Sequence, residues 1–107
     1  MTAPPLVPPK LLGPIVACFN PRRVILFGSR ARGEASADSD IDLLVVVDDE
    51  SPPEKVTVRA GVESRRGYRQ AADAIPVREN TFQRKARIPG TLSRAAVREG
   101  MVAYERR

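Results

Sequence analysis

Two aspartates, Asp40 and Asp42, stand one residue apart where a polar segment meets the apolar run at residues 41–47. If that run is a strand, side chains two residues apart point to the same face, about 6.6 Å apart at Cα. Like charges fixed on one face repel each other unless a cation lies between them, and oxygen ligands suit Mg²⁺ or Mn²⁺. The pair therefore indicates a divalent-metal site, although on its own it also fits a solvated strand start.

A second polar cluster, made of Gly28, Ser29, Arg30, Arg32 and Gly33, follows a short apolar run just upstream. A strand that stops at Gly-Ser and turns into a short helix presents free backbone N–H groups, which bind anions. Gly28 lets a phosphate approach the backbone, and the Ser29 hydroxyl can donate a further hydrogen bond. The arginines can supply positive charge, and Gly33 lets the chain leave at an angle. The cluster indicates a phosphate site, with a plain turn as the alternative.

Composition and spacing exclude several other kinds of site. The chain has no histidine, so histidine acid–base catalysis and histidine metal ligands are excluded. A P-loop needs Gly-Lys-Ser/Thr, whereas Gly33 is followed by Glu34 and Ala35. A calcium loop fails because Leu43 occupies its glycine position. The single cysteine, Cys18, allows no intramolecular disulfide and favours a reducing, cytoplasmic location.

The elements that must position these residues alternate between helices and strands. Helical spacing of apolar residues predicts a helix at 10–19, with Pro14 favouring a late start. Apolar runs predict strands at 24–27 and 41–47, the second covered on both faces. A helix is expected over residues 54–72, with Val58, Val62 and Ala72 facing inward.

The C-terminal third contains three further predicted elements. Residues 73–77 indicate a third strand that either lies at an edge or ends early, because Pro76 lacks a backbone donor. A short helix at 92–99, closed by Gly100, precedes a last strand at 101–104. Together the elements predict an α+β fold, a mixed sheet of three to five strands with helices packed on it.

Length and charge predict one basic domain. The 107 residues suffice for a single core, at residues 10–107, preceded by a flexible proline-rich arm at residues 1–9. The net charge of +5 favours polyanions or an acidic partner. The opening MTAPPLVPPK matches neither a signal peptide nor a transmembrane helix, so we expect no membrane association.

The run Gly28-Ser29-Arg30-Ala31-Arg32-Gly33, followed by Ser39-Asp40-Ile41-Asp42-Leu43, resembles the signature of polymerase-β-type nucleotidyltransferases. More narrowly, it resembles their minimal, MNT-type branch, and the likeness extends from about Leu11 to the C-terminus. The resemblance implies a nucleotidyltransferase-like fold and a third carboxylate from a later strand. Asp73 is the matching position, with a strand-capping residue as the alternative. Family members often continue there with hydrophobic residues, whereas this chain has Ala74 and Pro76.

The resemblance also implies roles for the site residues. The catalytic carboxylates would hold two Mg²⁺ ions, or Mn²⁺. The Gly-Ser segment would hold a nucleoside triphosphate, with ATP as the expected one. The implied metal ligands are Asp40, Asp42 and Asp73, and the implied nucleotide-binding residues are Gly28, Ser29, Arg32 and Gly33.

The resemblance also bears on the acceptor of the transferred nucleotide. The minimal branch resembles antitoxins that attach AMP to a tyrosine of a HEPN-type partner, and 107 residues leave no room for an acceptor domain. The alternative is a binding module that neutralises a partner by forming a complex. Nucleic acid is not expected as a partner, because the basic segment 78–87 has one aromatic residue, Phe82, and lacks the several interleaved aromatics that stack bases. Homo-oligomerisation is left open.

Overall fold

The structure, a computed structural model, describes residues 7–31 and 40–107. Four strands form one mixed sheet in the order β3-β2-β1-β4, with β1 antiparallel to both β2 and β4 and β2 parallel to β3. This confirms the predicted α+β fold. The elements in chain order are α1 (Pro9–Phe19), β1 (Arg23–Phe27), β2 (Ile41–Val47), α2 (Val58–Ser64), β3 (Ala72–Arg78), α3 (Glu79–Lys85), α4 (Leu92–Glu99) and β4 (Met101–Glu105).

Both faces of the sheet are covered by helices, which explains the continuous apolar run of β2. On one face, Leu11 and Ile15 of α1 pack against alternate residues of the central strands, including Leu43 and Val45. On the other face, Phe82 of α3 and Ala96 of α4 pack against the remaining set, which comprises Ile25, Phe27, Leu44 and Val46. Because side chains alternate across a strand, every residue of β2 after Asp42 is buried.

Helix α1 begins at Pro9, earlier than the proline inside it suggested. Pro14 lies on the exposed side of the helix, where water can satisfy the carbonyl that a proline leaves without an N–H partner. The helix ends at Asn20, whose left-handed φ of 45° closes the last turn. Most of the predicted N-terminal arm, residues 1–6, lies outside the described residues, and Val7 is buried in the core.

The prediction of one long helix over residues 54–72 was wrong. A short 3-10 turn at Pro53–Lys55 is followed by α2, whose first turn is capped by the Thr57 hydroxyl accepting from the Ala60 N–H at 3.0 Å. The inward orientation of Val58 and Val62 was also wrong, since their side chains are 82% and 49% exposed.

The physical reason is a backbone contact between α2 and β3. The inward face of α2 is formed by Gly61 and Ser64, and a Cβ at Gly61 would collide with the carbonyl oxygen of Ala74. The helix therefore approaches the strand through its smallest residue, which turns the two valines outward.

Strand β3 lies at the sheet edge, as Pro76 predicted, and it is longer than predicted. The Ile41 N–H donates to the Ala71 carbonyl at 3.2 Å. Because every second residue of a strand directs its backbone groups to the same side, Asp73 also directs its N–H and C=O toward β2. Ala74 and Pro76 then direct theirs toward the open edge, where the missing N–H of proline breaks no ladder bond.

Ion pairs hold the opposite end of the sheet together. The Arg23 guanidinium donates to both carboxylate oxygens of Glu79, at 2.7 and 2.8 Å, and lies over the Phe82 ring. Arg22 and Arg106 both pair with Asp48. These contacts join β1, β2 and β4 to the start of α3, a helix that the sequence analysis did not predict. Across residues 7–31 and 40–107, no helix is long and apolar enough to cross a membrane.

Candidate active site

The parallel pairing of β2 and β3 places two of the predicted site aspartates side by side. Asp42 lies opposite Asp73 on one flank and opposite Phe27, the last residue of β1, on the other. Neighbouring strands are about 4.8 Å apart, so the two carboxylates are within reach of a shared ligand. Asp42 and Asp73, thirty-one positions apart in the sequence, thus lie on adjacent strands.

Asp40 belongs to the same end and the same face of the sheet. It precedes Asp42 by two residues, at the start of β2, and strand alternation therefore directs both toward the face that carries Leu44 and Val46. Asp40 and Asp73 are exposed and Asp42 is half-buried. Helices α3 and α4 cover this face further along the strands, through Phe82 and Ala96.

The three carboxylates act on one another electrostatically. Burial raises the pKa of Asp42, and the negative charges of Asp73 and Asp40 raise it further. Like charges held this close favour the binding of a divalent cation, and the donor set, all carboxylate oxygen, suits Mg²⁺ or Mn²⁺. The side chains do not converge on one point as they stand: among the described residues, no group of three Cys, Asp or Glu is arranged to hold a metal ion.

Gly28 connects the two halves of the sequence motif. It follows β1 directly with a φ of 82°, a conformation that L side chains rarely adopt. A Cβ at this position would lie only 2.6 Å from Asp42 Oδ2. Glycine is therefore required here both by its backbone conformation and by the closeness of the carboxylate.

The rest of the predicted phosphate segment is only partly described. Ser29 follows Gly28 in a turn and is half-buried, beside the half-buried Arg30. Arg32 and Gly33 lie outside the described residues. The structure thus brings Gly28 and Ser29 to the end of the sheet where Asp42 and Asp73 meet.

Comparison with known proteins identifies the family. A family model described as a nucleotidyltransferase domain matches residues 15–100. The chain belongs to this family. Its resemblance to a minimal nucleotidyltransferase is thereby confirmed, and its general chemistry is nucleotidyl transfer.

A solved structure shares the fold of this nucleotidyltransferase. The protein comes from Sulfolobus solfataricus and is named provisionally as a nucleotidyltransferase. It matches with a TM-score of 0.59 and 24% identity, covering 91% of this chain and 76% of its own. This likeness concerns the fold alone. A search of curated proteins found no significant match.

A cleft beside Asp73 was missed by the sequence analysis. It lies between α2 and the edge strand β3 and encloses about 200 Å³. Its lining residues are Val56, Thr57, Val58, Val62, Arg65, Asp73, Ala74, Ile75 and Pro76. The sequence did not predict this cleft, because Val58 and Val62 were expected to face the core. Gly67, which lies just beyond the end of α2, was the available signal that the helix is short.

Proposed function

We propose that this nucleotidyltransferase moves AMP from ATP to a hydroxyl group of a protein, most specifically a tyrosine of a HEPN-type partner, in an antitoxin-like role. The observation that carries the proposal is the meeting of Gly28, Asp42 and Asp73 at one end of the sheet. The backbone at Gly28, which we propose binds phosphate, lies against Asp42 and beside its strand neighbour Asp73, and such a combination suits a metal–triphosphate substrate.

In the proposed reaction the acceptor oxygen attacks the α-phosphorus of ATP. A new oxygen–phosphorus bond forms, the bond from the α-phosphorus to the bridging oxygen breaks, and pyrophosphate leaves. The hydroxyl proton passes to Asp73 or to water. Mg²⁺, held by Asp40, Asp42 and Asp73, would neutralise the triphosphate and the departing pyrophosphate.

The remaining site residues position the nucleotide. The backbone at Gly28 and the Ser29 hydroxyl hold the β- and γ-phosphates, and Arg32 and Gly33 extend that segment. No side chain serves as a covalent nucleophile, so catalysis rests on positioning and on electrostatic stabilisation of the transferred group.

Two arguments support a protein acceptor. The resemblance to the minimal branch implies a HEPN-type partner, and the net charge of +5 favours a partner with acidic surface. Such a reaction would take place in the cytoplasm, where ATP and Mg²⁺ are both available.

The test uses a purified HEPN-type protein as the candidate acceptor. We expect that incubation of the two purified proteins with ATP and Mg²⁺ adds the mass of AMP to the partner, measured by intact mass spectrometry. Asp40→Ala should abolish the gain. Glu50→Ala, which removes an exposed carboxylate beyond the other end of β2, should leave it unchanged. An unmodified partner, or equal modification by the Asp40 variant, would refute the proposal.

A binding module is the second candidate, favoured by one observation. Among the described residues, no group of three acidic or cysteine side chains is arranged to hold a metal ion, which is compatible with a fold that binds its partner without turnover. Titration calorimetry separates the two functions. Equal partner affinity in wild type and in the triple Asp40, Asp42 and Asp73 alanine variant, together with no AMP transfer, would support the binding module.

A further inference from the structure

The cleft between α2 and β3 opens directly onto Asp73. Its walls are largely aliphatic, formed by Val58 and Val62 of the helix and by Ile75 and Pro76 of the strand. A water molecule occupies about 30 Å³ of liquid, so the cleft of about 200 Å³ has room for a group the size of a phenol ring.

The apolar wall on the helix side is left exposed. Val58 is 82% and Val62 49% exposed, although both belong to a regular helix. Gly61, three residues after Val58 and directly before Val62, packs against the β3 backbone, so the two valines flank this contact instead of facing the core. The same contact that fixes the helix therefore presents two valines to whatever enters beside Asp73.

The helix side of the cleft is basic, whereas the strand side carries Asp73. Residues 59–69 contain four arginines and a single acidic residue, Glu63, which pairs with Arg66 at 3.5 Å. Arg65 lines the cleft, and within residues 7–31 and 40–107 its guanidinium has neither a hydrogen-bond nor an ion-pair partner. A half-buried arginine of this kind suits a carboxylate from a binding partner.

We propose that the cleft is the acceptor subsite and receives a tyrosine from an acidic segment of a protein. The inference rests on the proposed function and specifies its second substrate. The ring packs between Val62 and Ile75, its hydroxyl reaches Asp73, and a neighbouring carboxylate of the same segment pairs with Arg65. The aliphatic walls favour the ring of tyrosine over serine or threonine, because they exclude the water that the hydroxyl of a small side chain would retain. They also disfavour a nucleobase, because they offer no aromatic surface on which it could stack.

The test measures AMP transfer to a blocked pentapeptide in which tyrosine is flanked by acidic residues. We expect Arg65→Glu and Val62→Arg each to raise the KM for the peptide by about tenfold or more, the scale of one lost ion pair or buried contact. The KM for ATP should change by less than about twofold, because neither side chain belongs to the proposed nucleotide segment. A peptide with lysines in place of the acidic residues should regain affinity for the Arg65→Glu variant.

Two matched controls lie outside the cleft. Arg87→Glu makes the same charge change at an exposed arginine, and Val97→Arg makes the same substitution at a valine that is 53% exposed. Both should leave the KM for the peptide within about twofold of wild type. If the cleft variants behave like these controls while Asp40→Ala abolishes transfer, the acceptor subsite is overturned and the proposed function stands.

Peptide binding without ATP decides the matter independently of turnover. Fluorescence anisotropy of the labelled peptide should show binding by wild type and by both controls, and weakened binding by both cleft variants. Absence of binding by wild type, or equal binding by the cleft variants, would overturn the inference. Displacement by a single-stranded oligonucleotide at lower concentration than by unlabelled peptide would also overturn it, since the occupant would then be nucleic acid.

Discussion

Replacing Gly28 by alanine is expected to damage the candidate active site far more than the fold. The added Cβ would lie 2.6 Å from Asp42 Oδ2, whereas ordinary van der Waals contact begins at 3.4 Å. The carboxylate or the turn must therefore move by about 0.8 Å. Asp42 is confined between β1 and β3, so the displacement falls on the group proposed to bind the metal–nucleotide complex.

The magnitude follows from two separate costs. An L residue in the left-handed region costs about 1–2 kcal/mol, which lowers the melting temperature by about 4–8 °C per kcal/mol in a domain of this size. A misplacement approaching 1 Å at a reacting group can reduce the rate by about 100-fold. We therefore expect moderate destabilisation together with a loss of AMP transfer of about two orders of magnitude.

Gly90 provides a matched control for the backbone cost. Its φ of 86° is close to that of Gly28, but a Cβ there would meet nothing within 4 Å. Gly90→Ala should lower the melting temperature by a similar amount and leave transfer and Mg²⁺–ATP binding unchanged, as measured by mass spectrometry and titration calorimetry. If Gly28→Ala and Gly90→Ala differ less than threefold in activity, the inferred contact with Asp42 has no functional consequence.

Three further predictions concern other contacts of the fold. Asp42→Asn should raise the free energy of unfolding in metal-free buffer by about 0.2–1 kcal/mol, because like charges on paired strands repel. The same substitution should reduce AMP transfer by about 100-fold or more. A lower stability of this variant in chemical denaturation would contradict the predicted repulsion. Gly61→Ala should destabilise by about 1–3 kcal/mol through its collision with the β3 carbonyl, while Gly67→Ala, with nothing within 4 Å, should not. Burial acts most strongly on Glu79 and opposes its ionisation, but hydrogen bonds from Arg23 and Gln83 outweigh it and hold its pKa below the ordinary 4.5. The ionised Glu79 carboxylate therefore contributes about 1 kcal/mol to the free energy of unfolding. This contribution is complete above pH 4.5 and is lost as the pH falls through the pKa of Glu79 in the folded state. Glu79→Gln should therefore reduce the fall of the melting temperature at acidic pH.

Much of the sheet could be predicted from the sequence because its strands carry strong local signals. The run from Ile41 to Val47 is apolar without interruption, as a strand covered on both faces requires. Pro76 correctly placed β3 at an edge, since only an edge strand tolerates the missing donor. The Gly28–Gly33 cluster and the Asp40–Asp42 pair could be combined into one candidate site because they stand at the end of one strand and the start of the next.

The segment between β2 and β3 could not be predicted, because long-range packing determines it. Val58 and Val62 have helical spacing, which normally marks a core-facing side. The close approach of Gly61 to the β3 backbone reverses that orientation, and no local pattern signals such a contact. Helix α3 was missed for a related reason: its one buried side chain, Phe82, stands alone among polar residues.

The parallel pairing of β2 and β3 is what makes a three-aspartate site feasible in this chain. Asp42 and Asp73 share one end of the sheet only because the connection crosses over and returns in the same direction. A slip of one residue in this register would send the Asp73 side chain to the opposite face, where Ala72 and Ala74 are buried in the core. Gly61 opposes such a slip, because α2 is packed on the Ala74 carbonyl and has room for no larger side chain there. The contact that exposes the cleft valines therefore also holds Asp73 in line with Asp42, and acceptor binding and metal binding would depend on the same helix–strand contact.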